Sequence, residues 1–543
     1  MNQEQYSQKP PLNKGKACFN CRRRKVKCDA KKPICTPCVR FIGGSLHDCE
    51  YTEMGLAQSQ VLEEQISIVE SRIQELRQPK EMRTSVGLHN PYQPSSSSGS
   101  SNPQFDLVTP RPGHYSPPNL ASRPRSLGLL QTLINSFLKY APRIGFFLSP
   151  QLFEALSSGA APSQIASPAL LDAIYLWGSH LSRSEKLAEH EPSFLSDALR
   201  SAAATLSTAH CSKAVIHAIQ AEMLIAQYFF RNARILEGKY HASVAVSISL
   251  SSGLHKIRSS DARDSTRPTV DSLSPAANAL EEGERINAFW AVLTLNNCWF
   301  AADGSPADVS YAAHGVDTPW PLDIGSYTED SRLLPFQSSA TIDNFLTNFP
   351  DRGGSLPALH AKAGVVFEQA SRLAARYTES TALGNRTTNS DEFSKLDGVI
   401  EAFKRTLPRI RPDATQPLVL VIHTLAHVAT IQLHNPFSMK SSTSRSRAGS
   451  AAMAVVTLLR QMNVREFGYI DAIVGTLWTA ACQVLTTELS RTRYSSGGPQ
   501  SVQQLCEAVE TLLSAMSVFS EDCRMIELQL SAAQENYAAV RNR

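Results

Sequence analysis

Six cysteines stand within the first fifty residues: Cys18, Cys21, Cys28, Cys35, Cys38 and Cys49, spaced Cys-x2-Cys-x6-Cys-x6-Cys-x2-Cys-x10-Cys. Thiolate is a soft ligand that suits zinc, and structural zinc takes four ligands in a tetrahedron. Six sulfurs are too many for one zinc and too few for two independent four-thiolate sites. Two shared thiolates resolve the arithmetic, giving two Zn²⁺ per chain with every coordination position filled. No position remains for a catalytic water. Six thiolates and two Zn²⁺ leave a surplus of negative charge that neighbouring cations offset.

Those cations are present. Arg22 to Lys27 reads Arg-Arg-Arg-Lys-Val-Lys, between the second and third cysteines. Residues 1–50 hold eleven Lys and Arg against four Asp and Glu, a surplus of seven positive charges. The rest of the 543-residue chain holds 42 of the 53 basic and 45 of the 49 acidic residues. Positive charge is thus concentrated in one short head, which implies a polyanion partner such as nucleic acid. No apolar run approaches the roughly 18 residues of a membrane span; residues 287–302 come closest, interrupted by Asn287, Thr294, Asn296 and Asn297. The polar N-terminus lacks the apolar region of a secretory signal. In a reducing compartment the clustered cysteines read as metal ligands rather than disulfides. Cys211, Cys298, Cys482, Cys506 and Cys523 are scattered singly and read as small buried hydrophobes.

Residues Ala17–Tyr51, with the Arg/Lys run and Pro33 two residues before the fourth cysteine, resemble the fungal zinc binuclear cluster (Zn2Cys6) transcription factors. The resemblance implies that Cys18 and Cys35 bridge the metals, that Cys21 and Cys28 complete one tetrahedron, and that Cys38 and Cys49 complete the other. The ten-residue interval before Cys49 is longer than the family usually has, and Gly43-Gly44 within it reads as part of a surface loop. In the family a short helix after the second cysteine points its end into the DNA major groove. Lys25 matches the position that reads a CGG triplet there, with Arg24 beside it; Lys and Arg are natural donors to guanine O6 and N7. Arg22, Arg23 and Lys27 are assigned to phosphates, which position the module without specifying sequence. The plainer alternative is a solvated basic face on a structural zinc knot, or a nuclear-import signal.

Behind a linker at 52–58, Leu62, Ile66, Val69, Ile73 and Leu76 recur at intervals of four and three, a heptad seam. Ile66 and Ile73 fall at a, the others at d, a pattern that favours a parallel two-stranded coil. Pro79 ends it. The seam is short, and Gln65 with Glu70 and Arg72 with Arg77 make poor cross-chain pairs, so residues 59–78 form a weak dimerisation element. The alternative is an amphipathic helix packed on its own protein. A parallel dimer here places two DNA readers on one duplex, with linker geometry setting half-site spacing.

Residues 1–16 and the Pro/Ser/Gly-rich stretch 79–125 read as disordered. From 126 to 543 the pattern is helical, with apolar residues near a 3.6-residue period, as at Val215, Ala218, Ile219, Met223, Ala226 and Phe230. Helices are expected at 214–230, 233–252, 282–300, 357–381, 417–434, 449–461, 468–490 and 501–517, with loops at 257–278, 303–355 and 436–448. The fold class is a small zinc cluster and short coiled coil followed by a large all-α domain. Gly238-Lys-Tyr-His-Ala242, Gly253-Leu-His255, Glu284-Arg-Ile-Asn-Ala-Phe-Trp290 and Gly304-Ser-Pro306 resemble the regulatory middle homology region of the same family, most clearly over 210–320. Ser305 stands where the family often has Arg. These motifs read as packing signals: Gly238 and Gly253 for close approach or a cap, Phe289 and Trp290 for core.

His423 and His427 lie one helical turn apart, with His434 downstream, but Thr424 stands where a metalloprotease needs its Glu. No Gly-rich phosphate loop, nucleophile elbow or paired carboxylates point to an enzyme. The expectation is a nuclear, zinc-dependent, sequence-specific regulator of RNA polymerase II transcription. It binds double-stranded DNA at paired CGG-like half-sites as a homodimer, with the transcription machinery or coregulators and a small-molecule effector as further partners, and no membrane. The competing reading is a scaffold or corepressor with a structural zinc head and a protein-binding helical body.

Overall fold

The computed structural model describes residues 17–31, 34–42, 126–158, 162–182, 184–208, 211–259, 273–305, 315–327, 337–382, 390–410, 416–494 and 499–542. The chain divides into two compact units, Met1–Tyr115 and Ser116–Arg543. Cys49 and the expected coiled-coil residues Leu62, Ile66, Val69, Ile73 and Leu76 lie outside the described residues, as does the linker 79–125.

In the first unit two short helices, α1 (Phe19–Arg23) and α2 (Thr36–Ile42), each follow the first cysteine of a CxxC pair. Their core is the cysteines themselves, with Ala17 and Ile34 packed against them. Among the described residues this segment has no larger apolar core to hold it, which is the situation in which metal supplies folding energy.

The second unit is helical, and no strand occurs among its described residues. In chain order its longer helices are α3 (Leu127–Leu138), α4 (Pro150–Ser157), α5 (Pro168–Leu181), α6 (Glu191–Thr208), α7 (Ser212–Arg231), α8 (Ile235–Ser251) and α9 (Ala279–Ala302). There follow α10 (Thr341–Leu346), α11 (Leu356–Ala382), α12 (Ser390–Thr406), α13 (Pro417–His434), α14 (Ser442–Gln461), α15 (Ile473–Tyr494), α16 (Pro499–Ser517) and α17 (Arg524–Arg541). Sequence neighbours pack on one another through most of the body, and α9, α11 and α13 lie side by side at its centre. One continuous apolar core runs from Leu133 to Tyr537, with Trp177, Trp290 and Trp478 buried in it.

Local chemistry explains where the helices begin. Ser149 and Ser167 each precede a proline and cap the helix that follows, the Ser167 hydroxyl accepting from Leu170 N at 3.4 Å. Side-chain acceptor then N1 proline is a strong start signal. The glycines of the body motifs act as expected. A Cβ on Gly238 would lie 2.5 Å from the Phe230 ring, which itself stacks on Trp299 with centroids 4.0 Å apart. Gly253 has φ of 73°, the left-handed conformation that ends α8. Phe289 and Trp290 are buried.

Several boundaries differ from the sequence expectation. The polar stretch 436–448 was expected as a loop, but α14 begins at Ser442: Ser441 is its cap, accepting from Ser444 N at 3.2 Å, and Ala448, Ala451, Ala452 and Val455 form its buried face. Helix α15 starts at Ile473 rather than 468, because Gly468 adopts a φ of 64°. The expected loop 303–355 contains α10, and α12 and α17 were not expected at all. Both nonetheless carry an apolar face, Phe393, Leu396, Val399, Ile400 and Phe403 in α12 and Met525, Ile526, Leu530, Ala533 and Tyr537 in α17, set among many charged or small residues.

The expectation about membrane spans also needs correction. Pro417–Phe437 is long and apolar enough to cross a membrane by length and composition, rather than 287–302, yet 78% of its most apolar stretch is buried in the body. It is a core helix, and its His and Thr residues hide a high mean hydropathy.

Candidate metal centre and nucleic-acid interface

Helix α1 is organised by the cysteines at both ends. Cys18 is its N-cap, its sulfur accepting from Cys21 N at 3.4 Å, so a candidate ligand also satisfies an orphan helix donor. At the other end Lys25 N donates to Arg22 O at 3.3 Å and Val26 N to Cys21 O at 3.0 Å. This pair of bonds is a Schellman turn, and it holds Lys25 in the left-handed conformation with φ of 54°. Glycine is the usual occupant of that position; a lysine there accepts strain of roughly 1 kcal/mol. Arg22, Arg24, Lys25 and Lys27 are exposed around this helix end, and Arg22 also donates to Ala17 O at 2.9 Å.

The sulfurs converge. Cys18, Cys21, Cys28 and Cys35 place their ligand atoms within 4.8 Å of one another, and all four are buried. Cys18 lies 3.7 Å from Cys35 and 3.7 Å from Cys38; Cys21 lies 3.5 Å from Cys35 and 3.8 Å from Cys38. A tetrahedron of zinc–sulfur bonds of about 2.3 Å has edges of about 3.8 Å. Separations of 3.5–3.8 Å among Cys18, Cys21, Cys35 and Cys38 match such edges, and the Cys18, Cys21, Cys28 and Cys35 group that the resemblance assigned to one metal gathers within 4.8 Å.

The electrostatics point the same way. Burial raises the Cys18 thiol well above the ordinary thiol range and pushes Cys21 up to about 12. Burial also opposes ionisation of Cys35, but the amide of Cys38 and the thiols of Cys38, Cys21 and Cys18 donate toward its sulfur and together bring it down to about 6. One thiolate is thus readily held in this cluster while further ones repel it. A divalent cation among the sulfurs is what lets the whole set ionise.

Two supporting residues escaped the sequence reading. Asn20 is 4% exposed, and its Nδ2 donates to Cys38 Sγ at 3.8 Å. Asp29 ties the basic loop to α2: its carboxylate accepts from Thr36 N at 3.0 Å and from Thr36 Oγ1 at 2.5 Å. The Thr36 hydroxyl holds the Asp29 carboxyl below the ordinary range. An amide two residues after one cysteine and a carboxylate one residue after another were the available signals.

In the body, the motif residues make internal latches. His241 Nδ1 lies 2.6 Å from Glu222 Oε2, Arg285 donates to Glu281 at 2.6 Å, and Lys239 donates to Ser305 Oγ at 2.6 Å. The histidine pair is not a metal site. His423 Nε2 donates to Pro408 O at 2.9 Å, while His434 lies 3.2 Å from both Asp397 and Ser444. Burial lowers His427 to about 3, with Lys404 and His423 adding repulsion.

Residues 16–54 match the fungal Zn(2)-Cys(6) binuclear cluster domain, and residues 134–345 match the fungal specific transcription factor domain. Neither is an enzyme family. No curated protein and no solved structure matches the chain. The first domain implies zinc and DNA binding, and the pair implies action in the nucleus. In this order along the chain, the protein carries the two domains that mark the fungal zinc binuclear cluster transcription factors.

Proposed function

We propose that this chain is a sequence-specific regulator of RNA polymerase II transcription, and not an enzyme, that binds paired CGG-like half-sites as a homodimer. Cys18, Cys21, Cys28, Cys35, Cys38 and Cys49 hold two Zn²⁺, with Cys18 and Cys35 shared. Zinc supplies fixed geometry rather than reactivity. Lys25, flanked by Arg24, donates to guanine in the major groove, and Arg22, Arg23 and Lys27 engage phosphates. Residues 59–78, through Leu62, Ile66, Val69, Ile73 and Leu76, join two chains, and 79–125 tethers the head to the regulatory body 126–543.

The observation that carries this reading is the placement of Lys25. It is exposed at the end of α1, in a strained conformation fixed by hydrogen bonds to Cys21 and Arg22 within the cysteine cluster. A purely structural zinc knot has no use for a strained, exposed lysine at that turn. The test is binding of zinc-loaded full-length protein to duplexes bearing paired CGG triplets and to scrambled duplexes. Strong preference for the triplets supports the reading. Equal, salt-sensitive binding to both favours the scaffold or corepressor reading, with only nonspecific charge attraction at the head.

A further inference from the structure

The body contains a cavity of about 460 Å³, open at one side. Its walls come from parts of the chain far apart in sequence: α7, α9, the start of α11, the start of α13 and the segment Tyr469–Asp471 that leads into α15. Arg143, Asp323 and Gln416 are exposed and stand among the lining residues, so they mark the mouth. Most of the remaining lining is apolar, with Trp290 and Tyr469 as its buried aromatic walls. An apolar cavity of about 150 Å³ already takes up a benzene-sized guest, so this one is roomy enough for a much larger molecule.

A few polar side chains converge on that apolar space. His360 and Asp471 lie at the depth of core residues yet are only half-buried by surface, so the accessible part of each is cavity wall. Neither His360 nor Gln227 has a hydrogen-bond partner among the described residues. Asn287, 6% exposed, spends its Nδ2 on Leu322 O at 3.1 Å while its Oδ1 is unpaired. Apolar walls with a small number of unspent, convergent polar groups are the signature of a ligand site rather than of loose packing. Packing defects leave voids lined by hydrocarbon and do not gather amide and imidazole groups around themselves.

We infer that this cavity is a binding site for an uncharged, largely apolar organic molecule that presents one or two hydroxyl or carbonyl oxygens to Gln227 and His360. Charge sets the class. Burial lowers His360 to about 4 and raises the Asp471 carboxyl above its ordinary range, so both are held toward their neutral forms. The interior therefore offers hydrogen bonds from groups biased toward neutrality, and the charged groups Arg143 and Asp323 stand at the mouth. The inference concerns the body alone and does not rest on the DNA-binding reading of the head.

The experiment titrates full-length protein with the uncharged naphthyl ketone probe 6-propionyl-2-dimethylaminonaphthalene and, separately, with the anionic 8-anilinonaphthalene-1-sulfonate. Saturable binding of one neutral probe per chain, with a blue-shifted emission and energy transfer from tryptophan, is the expected result. Ala291→Phe on α9 and Leu418→Trp on α13 fill the cavity from two different walls, and each is expected to weaken the neutral probe at least tenfold with an unchanged melting curve. His360→Leu is expected to weaken it severalfold by removing a hydrogen-bond partner. Absence of saturable binding overturns the inference. So does equal binding of the anionic probe, or undiminished binding in a folded cavity-filled variant. If one filled variant does not fold, the other decides; if neither folds, stoichiometry and the anionic arm decide on the native protein.

Discussion

The amide of Val26 donates to the carbonyl of Cys21 at 3.0 Å, and this bond sets the direction of Lys25. It closes the turn in which Lys25 takes a φ of 54°. Replacing Lys25 by glycine keeps the left-handed turn without its strain. Lys25→Gly is therefore expected to leave zinc-loaded stability within about 1 kcal/mol of the native value, while base preference at one triplet position relaxes by about 1–3 kcal/mol. Melting curves and competition between CGG and altered triplets check the two halves separately.

Arg22 is expected to behave differently. In the proposed role of phosphate contact it carries no sequence information, so Arg22→Ala should weaken binding to all duplexes alike. The slope of log affinity against log salt falls by about one unit. A selective loss on CGG duplexes would assign Arg22 to a base instead.

Asn20 is expected to position a sulfur of the metal centre. Its N–H···S bond to Cys38 orients the sulfur and tempers its charge. Asn20→Ala is expected to lower zinc affinity by about 10- to 100-fold, as removal of groups that support metal ligands usually does. Chelator competition followed by cobalt substitution spectra measures it. Undiminished affinity would make Asn20 a packing residue only.

The expected dimerisation element makes a separate prediction. Deleting residues 59–78 should weaken binding to paired half-sites much more than to a single half-site, measured by band shift on both duplexes. Equal losses on the two would leave the element as a helix of its own subunit.

The body should lose stability in mild acid. His217 is 4% exposed, its Nδ1 accepts from Ser167 N at 3.2 Å, and burial with repulsion from Lys213 lowers it to about 4. Its unfolded form protonates near pH 6.5, and the folded form resists protonation until about pH 4. The depressed pKa means that stability is complete above pH 6.5 and falls as pH drops through that window, by on the order of 3 kcal/mol for this group. His217→Gln, which retains an acceptor, is expected to flatten the decline in melting temperature between pH 7 and pH 5.

Legibility in the sequence followed the strength of local constraint. Ligand count and spacing made the sulfur cluster readable, because few soft ligands occur so densely for any other reason. Helix α7, with its long apolar face, was readable from periodicity, and α13 from its near-continuous apolar run. The first turns of α14 were not, because Ser441 to Arg447 carries the composition of a loop and only the cap geometry and a face of small residues turn it into helix. The left-handed Lys25 was hidden too, since glycine is the residue that signals such a turn. Asn20 and the cavity groups Gln227 and His360 acquire their surroundings only when distant segments meet.

In the proposed function a zinc-organised turn presents Lys25 to DNA. Selection from random duplexes by full-length protein, with zinc and after chelation, tests it most directly. The expected result is enrichment of paired CGG-like triplets with zinc, loss of that enrichment on chelation, and its return when zinc is restored. Enrichment of no motif by zinc-loaded protein, or of the same motif after chelation, would contradict it.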